Sequence, residues 1–253
     1  MKFLRIPAVI VLMVLPYLAI TEQFFPPGTP VDNSTFGKYI LICMGSIALG
    51  VLLMRFLKPE SHNAGWLLFA IGLIVIIPLH LGPPRMGPEL QAATGIERLR
   101  FTLLIAATLL LFMAGLKVIA PLRSTLSKIT LAVLCIMLLL SVWNSGSLFL
   151  LSFAGQNPDT AAYISPFPGA LRSPTRILVY ATAALLAFLL SQKGEIKKWQ
   201  WIGLTVICLI GIVMCILYGQ DPRIPFMVPA IALAPAYWLG IALLANKRRI
   251  YNH

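Results

Sequence analysis

The sequence predicts an all-α integral membrane protein, a polytopic helix bundle with about eight transmembrane helices. Of its 253 residues, 59% are hydrophobic and only 11% are charged, whereas soluble domains contain about 25% charged residues. A soluble fold of this length has no place for so much apolar surface, but a lipid bilayer accepts it. The charged residues also gather in short clusters between apolar segments. The whole chain, 1–253, is therefore expected to form a single membrane domain.

Eight apolar segments predict the individual helices. The predicted spans are 6–20, 36–56, 65–81, 101–120, 129–153, 176–191, 199–218 and 224–245. The first span also resembles a signal peptide, but no small-residue cleavage site follows it, which favours an uncleaved helix. Some spans are shorter than the roughly 20 residues that a bilayer core requires, and flanking Lys and Arg side chains can make up the difference. Pro225, Pro229 and Pro235 predict an irregular last span.

The distribution of basic residues predicts the orientation. With the N-terminus inside, 13 of the 20 Lys and Arg residues face the inner side and 7 face the outer side, as the positive-inside rule requires. Eight spans then place both termini in the cytoplasm and the protein in the plasma membrane, or the inner membrane of a bacterium. The net charge of +12 does not indicate nucleic acid, because the basic residues form no continuous stripe. Tyr17, Tyr39 and Tyr218 fall near outer span ends and predict an aromatic belt.

A weak internal similarity suggests a duplication. A shift of 138 residues aligns Lys38 with Arg176, Gly65 with Gly203, and Arg85 with Arg223. The chain would then consist of two parallel four-helix halves, 1–128 and 129–253, as in some transporters. Apolar helices also align with one another by chance, so a bundle without a repeat remains the alternative.

The outer side is unusual because its basic residues are mostly arginines. It has 6 Arg and 1 Lys, whereas the inner side has 5 Arg and 8 Lys. Orientation requires no outer arginine, and a guanidinium group can bind a carboxylate or phosphate with two hydrogen bonds. Ion pairs with outer acids would explain the arginines equally well. The residues predicted to bind an anionic, possibly lipid-linked ligand are Arg85, Arg98, Arg100, Arg172, Arg176 and Arg223.

The segment 78–100 is the longest polar interruption in the first half of the chain. We predict an interfacial helix over 87–100 and a surface ion pair between Glu97 and Arg100, which are three residues apart. His80 and Glu97 are the candidate acid–base residues for catalysis. The simpler interpretation of His80 is a residue that hydrogen-bonds a neighbouring helix.

Other common chemistries are not indicated. Four cysteines lie within the apolar spans and predict core packing rather than metal binding; they are Cys43, Cys135, Cys208 and Cys215. We predict no metal and no cofactor. No charged residue falls clearly in the middle of a span, which argues against a proton relay.

Three functional classes fit these observations. The first binds an anionic ligand on the outer face and moves or modifies it. The second is a small-molecule carrier built from two halves, with a cavity lined by Asn144, Ser46 and the last span. The third is a non-catalytic scaffold or sensor subunit of a membrane complex. The expected partners are the lipid bilayer and the anionic ligand.

Overall fold

A computed structural model of the protein describes residues 5–18, 33–57, 64–80, 94–120, 123–154, 158–164, 166–218 and 229–245. Within these ranges all regular secondary structure is helical. The helices are α1 (Arg5–Val14, followed by a 3-10 turn, Leu15–Tyr17), α2 (Asn33–Phe56), α3 (Ala64–His80), α4 (Thr94–Ile119), α5 (Thr125–Ala154), α6 (Pro158–Ile164), α7 (Pro166–Gln192), α8 (Lys198–Tyr218) and α9 (Pro229–Ala245).

The described helices confirm a helical membrane protein. Five of them, α2, α4, α5, α7 and α8, contain segments long and apolar enough to cross a bilayer. Three more, α1, α3 and α9, are apolar but shorter. The eight apolar helices fall on the eight predicted segments, and α9 is continuous from Pro229 despite Pro235 within it.

The polar residues before the fourth span behave differently from the prediction. Residues 94–100 are not part of a separate interfacial helix, because α4 begins at Thr94 and runs without interruption to Ile119. The remainder of the predicted interfacial helix, 87–93, lies outside the described residues. The prediction failed for 94–100 because Glu97 and Arg100 are buried and Arg98 is half-buried, whereas an interfacial helix leaves its polar side chains in solvent.

Local hydrogen bonds fix the start of α5 and the end of α7. The amide of Ser127 donates to Ser124 Oγ at 3.0 Å and the amide of Ser124 donates to Ser127 Oγ at 2.9 Å, a reciprocal cap at the start of α5. At the end of α7, Gly194 adopts a φ of 74° and the amide of Glu195 donates to the Leu190 carbonyl at 3.0 Å. Glycine adopts this left-handed conformation without strain.

Helix α3 occupies the centre of the first half of the bundle, where it packs against α2, α4 and α9. A methyl group added to Gly65 would lie 3.0 Å from Val118 Cγ2, near the C-terminus of α4. At its other end, α3 contacts Arg100 of α4 through the Leu79 carbonyl. The two helices are therefore antiparallel, and α3 covers the depth between residues 100 and 117 of α4, about 25 Å. We call the two ends of the bundle the His80 end and the Trp66 end.

Helix α1 is joined to α9 by hydrogen bonds to its backbone. Pro16 has no N–H group, so the Leu12 carbonyl lacks its usual helical donor. The hydroxyl of Tyr237 donates to this carbonyl at 2.8 Å, and Trp238 Nε1 donates to the Met13 carbonyl at 3.2 Å. Leu12 and Tyr237 are both fully buried. Helix α9 thus satisfies the backbone groups that the proline leaves open.

Replacing Tyr237 by Phe should lower the free energy of unfolding by about 1 kcal/mol, because the Leu12 carbonyl loses its donor. Denaturant unfolding of the purified protein in detergent micelles measures this loss, and Tyr218→Phe is the control because Tyr218 is exposed. In a Pro16→Ala background, the new amide can bond the Leu12 carbonyl, so the same substitution should cost less. An equal cost in both backgrounds would contradict this account.

Candidate functional site

Four of the eight predicted site residues lie close together at the His80 end. Glu97, Arg100 and Arg176 are buried, and His80 is the last residue of α3. The positive charges of Arg100 and Arg176 both act on the His80 imidazole. We call these four residues the His80 cluster. Three helices build it, α3, α4 and α7.

Two partners fix the position of the Arg100 side chain. Its Nη1 lies 3.3 Å from Glu97 Oε1, and its Nε donates to the Leu79 carbonyl at 2.7 Å. The Leu79 carbonyl is one of the last four of α3, which have no donor within the helix. A positive charge at this end is also favourable for the helix dipole. The predicted Glu97–Arg100 pair is confirmed, but its predicted surface location is wrong, since Glu97 is only 1% exposed.

Helix α2 reaches the same helix end through Tyr39. Its hydroxyl donates to the Pro78 carbonyl, and Cys43 Sγ lies 3.7 Å from the same oxygen. Tyr39 is fully buried, so its predicted place in a lipid-facing aromatic belt is wrong. The reason is that the end of α3 needs hydrogen-bond donors, and a tyrosine close to a span end can supply one to a neighbouring helix.

Arg98 points away from the cluster. It precedes Arg100 by two residues, and helix geometry separates such side chains by about 200°. Arg98 Nη2 donates to the Ser152 carbonyl at 3.2 Å, and its Cζ lies 3.7 Å from the centroid of the Phe153 ring. These contacts cap the last turn of α5 with a positive charge and a cation–π contact. Arg98 and Arg100 therefore serve different helices.

The other predicted ligand-binding residues are not placed at the cluster. Arg85 and Arg223 lie outside the described residues, and Arg172 belongs to α7 but its side chain is not described. Their proposed contacts with an anion remain predictions. The roles of His80 and Glu97 in acid–base catalysis likewise remain predictions.

Sequence reasoning missed Tyr180, which extends the cluster into the bundle. Tyr180 follows Arg176 by one turn of α7, and the charge of Arg176 acts on it. Its ring packs on Gly211 of α8, where an added methyl group would collide with Tyr180 Cζ. The glycine is the available signal in the sequence, because a small residue in an apolar helix indicates a close neighbour. It does not say which neighbour.

The residues of the predicted carrier cavity lie in separate surroundings. Ser46 is buried on α2, which packs against α1 and α3. Asn144 is half-buried on α5, which packs against α4 and α7. Among the described helices, the main packing partners of α2 therefore differ from those of α5.

No protein-family model matches the chain, and no curated protein or solved structure is significantly similar to it. The chemistry of the His80 cluster therefore has to be argued from its own residues. Two guanidinium groups and one imidazole accompany a single carboxylate within this cluster. Such a set can bind an anion and hold or move a proton.

Replacing Glu97 by Gln should destabilise the protein by about 3–5 kcal/mol, because the buried Arg100 charge loses this counter-ion. Denaturant unfolding in micelles is the measurement, and Lys117→Gln is the control, an exposed charge on the same helix. The double variant Glu97→Gln/Arg100→Gln should recover part of the loss because it also removes the buried charge. A Glu97→Gln variant as stable as the control would refute the importance of this ion pair.

Proposed function

We propose that this membrane protein binds an anionic, lipid-linked or amphiphilic ligand at the His80 end and moves or modifies it. The observation that supports this proposal is the His80 cluster, in which the charges of Arg100 and Arg176 both act on the His80 imidazole. Charges interact more strongly at a buried, low-dielectric site than in water. The positive charges there would attract an anion and hold it in place.

Each member of the cluster has a distinct proposed role. Arg100 is fixed by Glu97 and the Leu79 carbonyl, so it supplies a stationary positive charge. Arg176 approaches His80 from a different helix and would make the direct contact with the anion. His80 would donate a hydrogen bond to the anion or transfer a proton, and Glu97 would act by holding Arg100.

The depth of the cluster favours a ligand that is attached to a lipid. Glu97 is the first residue of the apolar segment Glu97–Ile119, and Arg176 is three residues inside the apolar segment Ser173–Gln192. Both residues therefore lie near one boundary of the apolar region, where lipid phosphate groups reside. A phosphate or carboxylate on an amphiphile could reach this level while its apolar part stays in the bilayer.

The proposal includes eight spans, with both termini in the cytoplasm and the His80 end on the extracytoplasmic side of the plasma membrane. Helix α3 supports this count because it extends between the levels of Lys117 and Arg100. Helix α9 supports it too, because Gly240 packs on Phe69, so α9 runs from the His80 end towards the Trp66 end. The outer location rests on the distribution of basic residues.

The proposed function does not depend on the proposed duplication. Lys38 is exposed whereas its counterpart Arg176 is buried. Gly65 packs on Val118, whereas Gly203 faces open space. Two parallel halves remain a proposal based on the sequence alone.

Cysteine labelling tests the orientation. Thr125→Cys is exposed at the start of α5, and Tyr163→Cys is exposed in α6 beyond the end of α5. We expect a membrane-impermeant maleimide to label Tyr163→Cys on intact cells and to label Thr125→Cys only after permeabilisation. The unmodified protein is the control, since three of its cysteines are buried and the fourth is half-buried. The opposite pattern would reverse the orientation.

Replacing Arg176 by Gln should weaken the binding of dodecyl phosphate by about tenfold or more, the usual effect of losing a charge-assisted hydrogen bond. Calorimetric titration of the purified protein in dodecyl maltoside micelles is the measurement. The matched control is Lys38→Gln, which removes an exposed positive charge at the same end and should change binding less than about twofold. No binding to the unmodified protein, or equal losses in both variants, would contradict the proposal.

A non-catalytic scaffold or sensor subunit is the second candidate function. The observation that favours it is the contact between Arg98 and the last turn of α5. This arginine stabilises a helix end without any ligand, and Arg100 does so in part. If dodecyl phosphate does not bind, isolation of a stable complex with partner proteins becomes the decisive experiment.

A further inference from the structure

Tyr17 carries a buried hydroxyl that no other described residue satisfies. It is the last residue of the 3-10 turn that follows α1. Its Oη is shielded from solvent and makes no hydrogen bond within the described part of the chain. Tyr237 differs, because its hydroxyl donates to the Leu12 carbonyl. A buried hydroxyl without a partner destabilises the protein that carries it, especially in a bilayer.

The turn with Tyr17 lies in the interior of the bundle. Leu15 lies beside Gly50 of α2 and Ile74 of α3, since a methyl group on Gly50 would contact both side chains. Ile74 precedes His80 by six residues, or about 9 Å along α3. The turn is therefore below the His80 cluster, at a depth where lipid surrounds the bundle.

Two further tyrosines lie around this hydroxyl. Tyr180 of α7 and Tyr237 of α9 are both within electrostatic range of Tyr17. We call Tyr17, Tyr180 and Tyr237 the tyrosine cluster. The three residues come from three different helical segments, the 3-10 turn after α1, α7 and α9.

The tyrosine cluster continues the His80 cluster into the bundle. Arg176 precedes Tyr180 by one turn of α7, and both Tyr180 and His80 lie within electrostatic range of its charge. His80 adds a second open polar atom, because its buried Nδ1 makes no hydrogen bond within the described residues, although the imidazole lies near the Ile76 carbonyl of its own helix. Polar groups thus extend from the charged end to the interior, and within the described residues the deepest of them with an unpaired buried atom is Tyr17.

We propose that the ligand of the His80 cluster also carries a neutral oxygen group, and that the Tyr17 hydroxyl binds this group. This inference rests on the proposed function, because it assigns a second contact to the same ligand. A phenol hydroxyl both donates and accepts, so it suits an alcohol or ester oxygen. The substrate class is therefore a phosphorylated or carboxylated alcohol, with its anion at the level of Arg176 and its neutral oxygen about one to two helical turns deeper.

A comparison of two small probes tests this assignment on the full chain in dodecyl maltoside micelles. Glycerol 1-phosphate offers the anion and neighbouring hydroxyls, whereas inorganic phosphate offers the anion alone. The unmodified protein should bind glycerol 1-phosphate about tenfold more tightly than phosphate, because a site built to bond a hydroxyl discriminates against a ligand without it. Tyr17→Phe should abolish this preference and leave phosphate binding unchanged. Tyr237→Phe is the matched control and should keep the preference.

The melting temperature without any probe gives an independent result. Tyr17→Phe should leave it unchanged or raise it, because the variant removes an unsatisfied polar atom. Tyr237→Phe should lower it. A lower melting temperature for Tyr17→Phe would mean that the protein already satisfies this hydroxyl, and the inference would be overturned.

The outcomes separate the two proposals. If phosphate binds but glycerol 1-phosphate has no advantage, or if Tyr17→Phe keeps that advantage, the role of Tyr17 is refuted while the anion site stands. If neither these probes nor dodecyl phosphate bind to the unmodified protein, the anion site and the role of Tyr17 are both refuted.

Discussion

The contact between Arg100 and the C-terminus of α3 is the interaction on which the His80 end depends. A helix ends with carbonyl groups that have no donor, and within a bilayer no water is present to satisfy them. Arg100 supplies both a donor and a positive charge to the Leu79 carbonyl, and Glu97 compensates that charge. Tyr39 supplies a donor to the neighbouring Pro78 carbonyl. The same contacts that complete a helix end therefore bring ionisable groups into the interior, where their charges act on His80.

Hydropathy predicted the positions of the apolar helices because a bilayer requires a certain length and composition of each span. Both properties can be read from a single segment of the sequence. Hydropathy did not predict where α4 begins. The residues from Thr94 to Arg100 were predicted to belong to a separate interfacial helix, yet they form the first two turns of α4. Arg98 and Arg100 have partners on α5 and α3. These partners are distant in sequence, and no local pattern reveals them.

The sequence also predicted only part of the candidate site. The excess of arginines directed attention to the end of the bundle at which His80, Glu97, Arg100 and Arg176 lie. It did not distinguish Arg98 from Arg100, because only a helical register sends neighbouring arginines to opposite sides. The interior positions of Tyr17, Tyr39 and Tyr180 were missed for another reason. A tyrosine near a span end suits a lipid interface as well as the interior, and the choice depends on which helix packs beside it.

The bond from Tyr237 to the Leu12 carbonyl joins residues 225 positions apart. A ribosome synthesises the first helix long before the last one, so α1 enters the membrane with a backbone oxygen that has no protein donor yet. The first helix to be synthesised is consequently completed only by the last one. Until α9 arrives, the Leu12 carbonyl of α1 lacks the donor that it has in the folded protein.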